Sequence, residues 1–130
     1  MDIPVVVARV LIVDDESDIR QAVAEVLAEE GHQVVAAGDG EEALAQIRAF
    51  HPQLVLLDLM MPVMNGWEFR AAQKGDPDIS AIPVVILSAM GREGAIDADG
   101  YIQKPFDLEM LLSAVRRHAQ SASPPAAQNA

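Results

Sequence analysis

Cysteine is absent from the chain, which excludes a disulfide framework, thiolate metal sites and thiol catalysis. Basic residues are scarce: 9 Lys and Arg stand against 20 Asp and Glu, a formal net charge of −11 at pH 7. That balance argues against a direct nucleic-acid surface, which needs clustered Lys and Arg, and against binding to anionic lipid. Long hydrophobic runs are also missing. The longest apolar stretches, residues 3–13 and 54–64, are too short to span a bilayer and contain charge. The start, Met1-Asp2-Ile3-Pro4, lacks the basic leader of a signal peptide. A soluble, cytoplasmic protein is expected. Hydrophobic residues make up 51% of the 130 residues, which suits one globular domain with a proper core and leaves no room for a second.

Strand-like apolar runs alternate with segments of helical period, a pattern that predicts βα units and a parallel sheet. Strands are expected at Arg9–Asp14, Gln33–Ala37, Leu54–Asp58, Pro83–Ser88 and Gly100–Lys104. Ser17 is expected to cap a helix running to Glu30, with Ile19, Val23, Val26 and Leu27 on one face and Gly31 just past its end. Further helices are expected at Glu41–Phe50, at Trp67–Lys74 and, capped by Asp107, at Leu108–Ala119. Gly75-Asp76-Pro77 breaks the third of these. The tail Ser121–Ala130, built of Ser, Pro, Ala, Gln and Asn, reads as disordered or as a linker. The sum is an α/β three-layer sandwich around a five-stranded parallel sheet.

The acidic pair Asp14–Asp15 closes the apolar run Val10-Leu11-Ile12-Val13, and Asp58 closes Leu54-Val55-Leu56-Leu57. Ligands of open parallel sheets bind outside the carboxyl ends of the strands. Acids gathered there repel: a like-charged pair at 4 Å costs roughly 4 kcal/mol at an effective dielectric near 20. A divalent cation or Lys104 can relieve this. A strand-end carboxylate such as Asp58 can act as a nucleophile toward a phosphoryl group, and Mg²⁺, which favours hard oxygen ligands, is its natural partner. Ser88 can offer a hydroxyl and Lys104 an ammonium. Singly, each has a plainer reading as a helix cap, a turn residue, a loop start or a solvated lysine. Together they fall at strand ends on one side of the sheet.

Val13-Asp14-Asp15-Glu16, the run from Asp58 through Met60, Met61, Pro62, Val63, Met64 and Asn65 to Gly66, Ser88-Ala89 and Lys104-Pro105-Phe106 resemble the receiver domain of two-component response regulators. The resemblance covers about residues 9–119, leaving 1–8 as an N-terminal arm and 120–130 as a tail or linker. It implies a flavodoxin-like, doubly wound sheet of order 2-1-3-4-5. It implies that Asp58 is the phosphoacceptor, that Asp15, Asp58 and the backbone carbonyl of Met60 bind Mg²⁺ directly, and that Asp14 acts largely through water. Lys104 would pair with Asp58 and then with the phosphoryl group. Ser88 would hydrogen-bond that group, Tyr101 would turn inward as an aromatic switch, and the Lys104–Pro105 peptide would be cis. The implied partners are a histidine kinase or histidine phosphotransfer protein and a downstream protein target, without direct contact to nucleic acid or membrane. The implied role is a phosphoacceptor signalling domain that assists its own phosphorylation and dephosphorylation, not an enzyme in the usual sense.

The chain departs from that family between Ser88 and Lys104, where it is about six residues shorter than usual. The run Met90–Asp99 is rich in Gly and Asp, so the fourth helix is expected to be short or absent. Met60 and Met90, two residues after Asp58 and Ser88, cannot align an attacking water, which predicts slow self-dephosphorylation. Two other functions stay open. One is a pseudo-receiver, an interaction module independent of phosphate. The other is a true enzyme: a phosphatase would place a second Asp where Met60 stands, and a flavin-binding protein would not put Asp14-Asp15-Glu16 where a phosphate loop belongs.

Overall fold

In the computed structural model, which describes residues 7–89 and 97–121, five parallel strands alternate with helices. The strands are β1 (Arg9–Val13), β2 (Gln33–Ala37), β3 (Leu54–Asp58), β4 (Val84–Ser88) and β5 (Gly100–Gln103). The helices among the described residues are α1 (Ser17–Glu29), α2 (Gly40–Phe50), α3 (Gly66–Lys74) and α4 (Leu108–Ser121). The sheet order is β2-β1-β3-β4-β5, the doubly wound order expected. Most of the expected N-terminal arm, residues 90–96 of the expected short fourth-helix region with Met90 among them, and residues 122–130 of the tail lie outside the described residues. No helix among the described residues is long and apolar enough to cross a membrane.

The side-chain alternation of a strand explains the two layers of core. Val10 and Ile12 of β1, Leu54 and Leu56 of β3, and Val85 and Leu87 of β4 point to the face covered by α1 and α4, where Val23, Leu27, Leu111 and Val115 meet them. Leu11, Val13, Val55, Leu57, Val84 and Ile86 point to the other face, against Ala43 and Ile47 of α2 and Phe69 of α3. Strands β3 and β4 are buried along their whole length. They read as unbroken apolar runs because both faces are covered. The edge strand β2 is mostly half-buried, with only Ala37 fully inside.

Element ends differ from the sequence reading by one or two residues, as ladder and cap assignments commonly do. One difference is physical. Ser17 does not cap α1: it is the first helical residue, and Glu16 holds the cap position without a side-chain bond. The turn is closed from the other side, by Asp14 Oδ1 accepting the Glu16 N–H at 2.9 Å, so the helix starts before Ser17 can act. Asp107 does cap α4, accepting from Met110 N at 2.9 Å. At the other end of α1, Gly31 takes φ +91°, a left-handed stop that glycine adopts without strain.

Candidate functional site

The strand registers gather the site. Val13 pairs with Ala37 and Leu57, Asp58 pairs with Leu87, and Ser88 pairs with Gln103. Asp14, Asp58, Ser88 and Lys104 therefore emerge along one carboxyl edge of the sheet. Backbone bonds hold the exits: Asp14 N donates to Ala37 O at 3.1 Å, one residue past β1, and Lys104 N donates to Ser88 O at 3.0 Å. The Lys104–Pro105 peptide is cis.

Asp14 is fully buried. Its Oδ1 accepts from Glu16 N at 2.9 Å and its Oδ2 accepts from Lys104 Nζ at 2.7 Å. The same ammonium lies 3.4 Å from Glu16 Oε1 and 3.7 Å from Asp58 Oδ1. The expected Lys104–Asp58 contact is thus present as a longer ion pair, while the short hydrogen bond goes to Asp14. A buried carboxylate without a partner would cost several kcal/mol. Asp14, more deeply buried than Asp58, takes the closer hold on the cation.

The electrostatics follow from that crowding. Burial pushes the Asp58 carboxyl up to about 6, and the charges of Asp14 and then Asp15 add to the rise, while Lys104 and the Met60 N–H pull it down. Lys104 is itself partly buried, which works against its charge, but the hydrogen bond to Asp14 and the charges of Asp14, Asp58 and Glu16 win and raise its pKa above the usual lysine value.

A cation fits this edge. Asp14, Asp15 and Glu16 each offer a carboxylate oxygen, and these oxygens lie within 4.8 Å of one another. Asp15 and Glu16 are exposed, so the cluster is open to solvent. The donors are hard oxygens, with no His or Cys in the group. That chemistry suits Mg²⁺. Asp58 stands outside this three-residue group but senses both Asp14 and Asp15 from the neighbouring strand. The sequence reading includes Glu16 in the motif but gives it no part in holding a cation, although it sits beside the acid pair.

The loop from β3 to α3 is tightly built. Gly66 N donates to Leu59 O at 2.9 Å, and a Cβ at Gly66 would stand 2.6 Å from Asp58 O. Asn65 caps α3 through Glu68 N, and Glu68 returns a bond to Asn65 N, a capping box that the Asn65–Glu68 spacing announces. Gly40 N donates to Met64 O at 2.8 Å, which docks the loop on the start of α2. Met60 and Val63 project outward, 62% and 76% exposed. Ser88 is buried at the end of β4, and Tyr101 of β5 is partly buried against the α2–α3 side of the core. Beside Lys104 runs a groove of about 520 Å³, lined by Ile19, Val23, Ala89, Phe106 and Leu108 with Glu16 at its rim.

Comparison with known proteins gives a consistent picture. Residues 10–116 match the family described as response regulator receiver domain. The chain is 34% identical over 124 residues to protein PilG of Pseudomonas aeruginosa, covering 89% of this chain and 90% of that protein. It is 39% identical over 116 residues to the DNA-binding response regulator MtrA of Mycobacterium tuberculosis, covering 83% of this chain but only 49% of MtrA. The chain thus spans about half the length of MtrA. Among solved structures, the chemotaxis response regulator CheY4 of Vibrio cholerae superposes with a TM-score of 0.79 at 36% identity, over 86% of this chain and 98% of that one.

Proposed function

Because the chain belongs to the response regulator receiver domain family, we propose that it is a phosphoacceptor that takes a phosphoryl group onto Asp58 from a phosphohistidine of a kinase or phosphotransfer protein. The family is one of signalling modules rather than of classical enzymes. The observation that carries the proposal is the pairing of Asp58, buried and pushed up to about 6, with Lys104 at 3.7 Å and an exposed acid cluster beside it.

Asp15, Asp58 and the Met60 carbonyl would hold Mg²⁺, with Asp14 and Glu16 in its surroundings. Bound there, the cation would neutralise charge on the transferring phosphoryl group. An Asp58 carboxylate oxygen forms the new bond to phosphorus as the phosphorus–nitrogen bond of the donor imidazole breaks. Lys104 lies within reach of Asp58 and can shift its ammonium toward the added phosphoryl oxygens. Ser88 supplies a hydroxyl to one of those oxygens, and Tyr101 follows it inward as the switch that a partner reads. The groove beside Lys104 gives an apolar strip next to the acid cluster, suited to a donor helix with an apolar face.

A small phosphodonor with Mg²⁺ should add one phosphoryl group, seen by intact mass. Asp58→Asn should abolish the gain, and chelation should prevent it. A wild-type chain that takes no phosphate under these conditions is a phosphate-independent interaction module instead.

A further inference from the structure

The acid pair is held from below by a residue outside the known constellation. Arg20 lies on the first turns of α1, its own N–H donating to Glu16 O at 3.0 Å. Its guanidinium turns back, and Nη1 donates to the backbone carbonyl of Asp14 at 2.8 Å. The peptide that carries this carbonyl is the one joining Asp14 to Asp15. Its other neighbours are also fixed: Asp14 N on Ala37 O and Asp14 Oδ1 on Glu16 N. The guanidinium lies over Gly38 at the end of β2, where a Cβ would meet Nη1 at 3.4 Å and Cζ at 3.9 Å. Gly38 does not use positive φ, and a Cβ there would only touch the guanidinium at van der Waals distance, so a bulkier side chain is needed to press on it.

We propose that Arg20 is a positioning residue of the cation site: by fixing the Asp14–Asp15 peptide plane it aims the Asp15 carboxylate at the metal. The inference rests on the functional reading above, and it goes beyond it by assigning a residue that touches neither metal nor phosphate. Asp14 does not need this help, because its carboxylate is already fixed by Glu16 N and Lys104 Nζ. Asp15 is exposed. The orientation of its own backbone is what limits where its side chain can reach. The positive charge of Arg20 acts in the opposite sense, since a cation near the cluster disfavours a second one. Position and charge therefore predict opposite signs when Arg20 is replaced, and the sign decides between them.

The test uses the full chain, with Mg²⁺ affinity from calorimetry and Mn²⁺ paramagnetic resonance as a report on coordination. Three variants separate the effects: Arg20→Met removes both bond and charge, Arg20→Lys keeps the charge on a single donor, and Gly38→Val keeps the charge but displaces the guanidinium. Cation-free melting curves verify that each is folded. Arg20→Met and Gly38→Val should weaken Mg²⁺ binding about tenfold, in the range usual for outer partners of metal ligands, and alter the Mn²⁺ line shape. Arg20→Lys should recover part of the loss. Phosphorylation at saturating Mg²⁺ should stay within about twofold of wild type, because the supply of the cation and not the phosphoacceptor is affected. Unchanged or tighter Mg²⁺ binding by folded Arg20→Met, in a wild type that binds Mg²⁺ normally, overturns the assignment alone. A wild type that binds no Mg²⁺ overturns the functional reading together with it.

Discussion

Lys104 holds Asp14 more closely than Asp58: its ammonium is 2.7 Å from Asp14 Oδ2 and 3.7 Å from Asp58 Oδ1. One cation thus spans two carboxylates that leave adjacent strands. The Asp58 oxygens keep the weaker claim on it, which leaves Asp58 the more available of the two.

Removing that cation strands two buried acids. Lys104→Met should lower stability by about 3 kcal/mol at pH 7, the scale for breaking a buried pair from one side. Denaturant unfolding checks this. Added Mg²⁺ should restore part of the loss, whereas a loss unaffected by Mg²⁺ would mean that the acids do not share a cation site.

Asp58 sets a pH dependence of known sign. Its carboxyl is at about 6 in the folded protein against 3.8 as its ordinary value. The folded chain therefore binds the proton more tightly than the unfolded one, and ionised Asp58 destabilises the fold above pH 6. Asp58→Asn should stabilise the protein by about 2 kcal/mol at pH 7.5 without Mg²⁺. The gain should shrink as pH falls through 6 toward 4, and saturating Mg²⁺ should reduce it too. A gain that grows in acid would contradict this.

His32 works in the other direction. It is buried, its Nδ1 accepts from Ala8 N at 3.0 Å, and burial holds its pKa below 6.5. The charge of Glu30 opposes that shift and the charge of Arg116 reinforces it. The unfolded chain takes up the proton first, so stability is complete above pH 6.5 and declines as pH falls below it. Melting temperatures from pH 7.5 to 5.5 should show this decline in an Asp58→Asn background, where the opposing effect is gone. His32→Gln should flatten it.

Val63 carries local strain at φ 68°, a left-handed conformation that a β-branched residue rarely adopts, with its side chain 76% exposed. Packing cannot repay that strain. Val63→Gly should raise stability by about 1 kcal/mol, the left-handed cost being partly offset by the freedom glycine has when unfolded. Equilibrium unfolding in urea would settle the sign.

Gly66 has the reverse character. An added Cβ would stand 2.6 Å from Asp58 O and 2.7 Å from Leu59 Cα, both backbone atoms that cannot step aside. Gly66→Ala should cost about 2–4 kcal/mol. If Asp58 accepts the phosphoryl group as proposed, the substitution should also slow phosphorylation of the folded fraction, because the displaced atoms belong to Asp58 and Leu59. A variant with wild-type melting and phosphorylation would exclude this tight approach.

Much of this was legible in the chain. Unbroken apolar runs announced β1, β3 and β4, because strands covered on both faces have no polar alternation to hide in. Residues at the ends of those runs, Asp14, Asp58 and Ser88, had to share an edge once the strands were parallel. The cap at Asp39, which accepts from Glu42 N at 2.8 Å, went unread, although an acid three residues before Glu42 is a visible signal. Buried Arg70 and Gln73 had no such signal. Their polar groups are satisfied by each other and by the backbone of Ile79, Ile82 and Asp97, partners supplied by loops outside α3.

The sequence by itself determined the parallel sheet, the family, and which acids and which lysine stand at the sheet edge. Those depend on periodicity and on residue type at strand ends, which are local. Only the tertiary structure decided that Lys104 binds Asp14 across 90 residues, that Glu16 joins the acid cluster, and that Arg20 reaches back under the pair over Gly38. Those outcomes turn on distances of an ångström between side chains from different elements, and such distances exist only once the strands are in register and both faces of the sheet are packed.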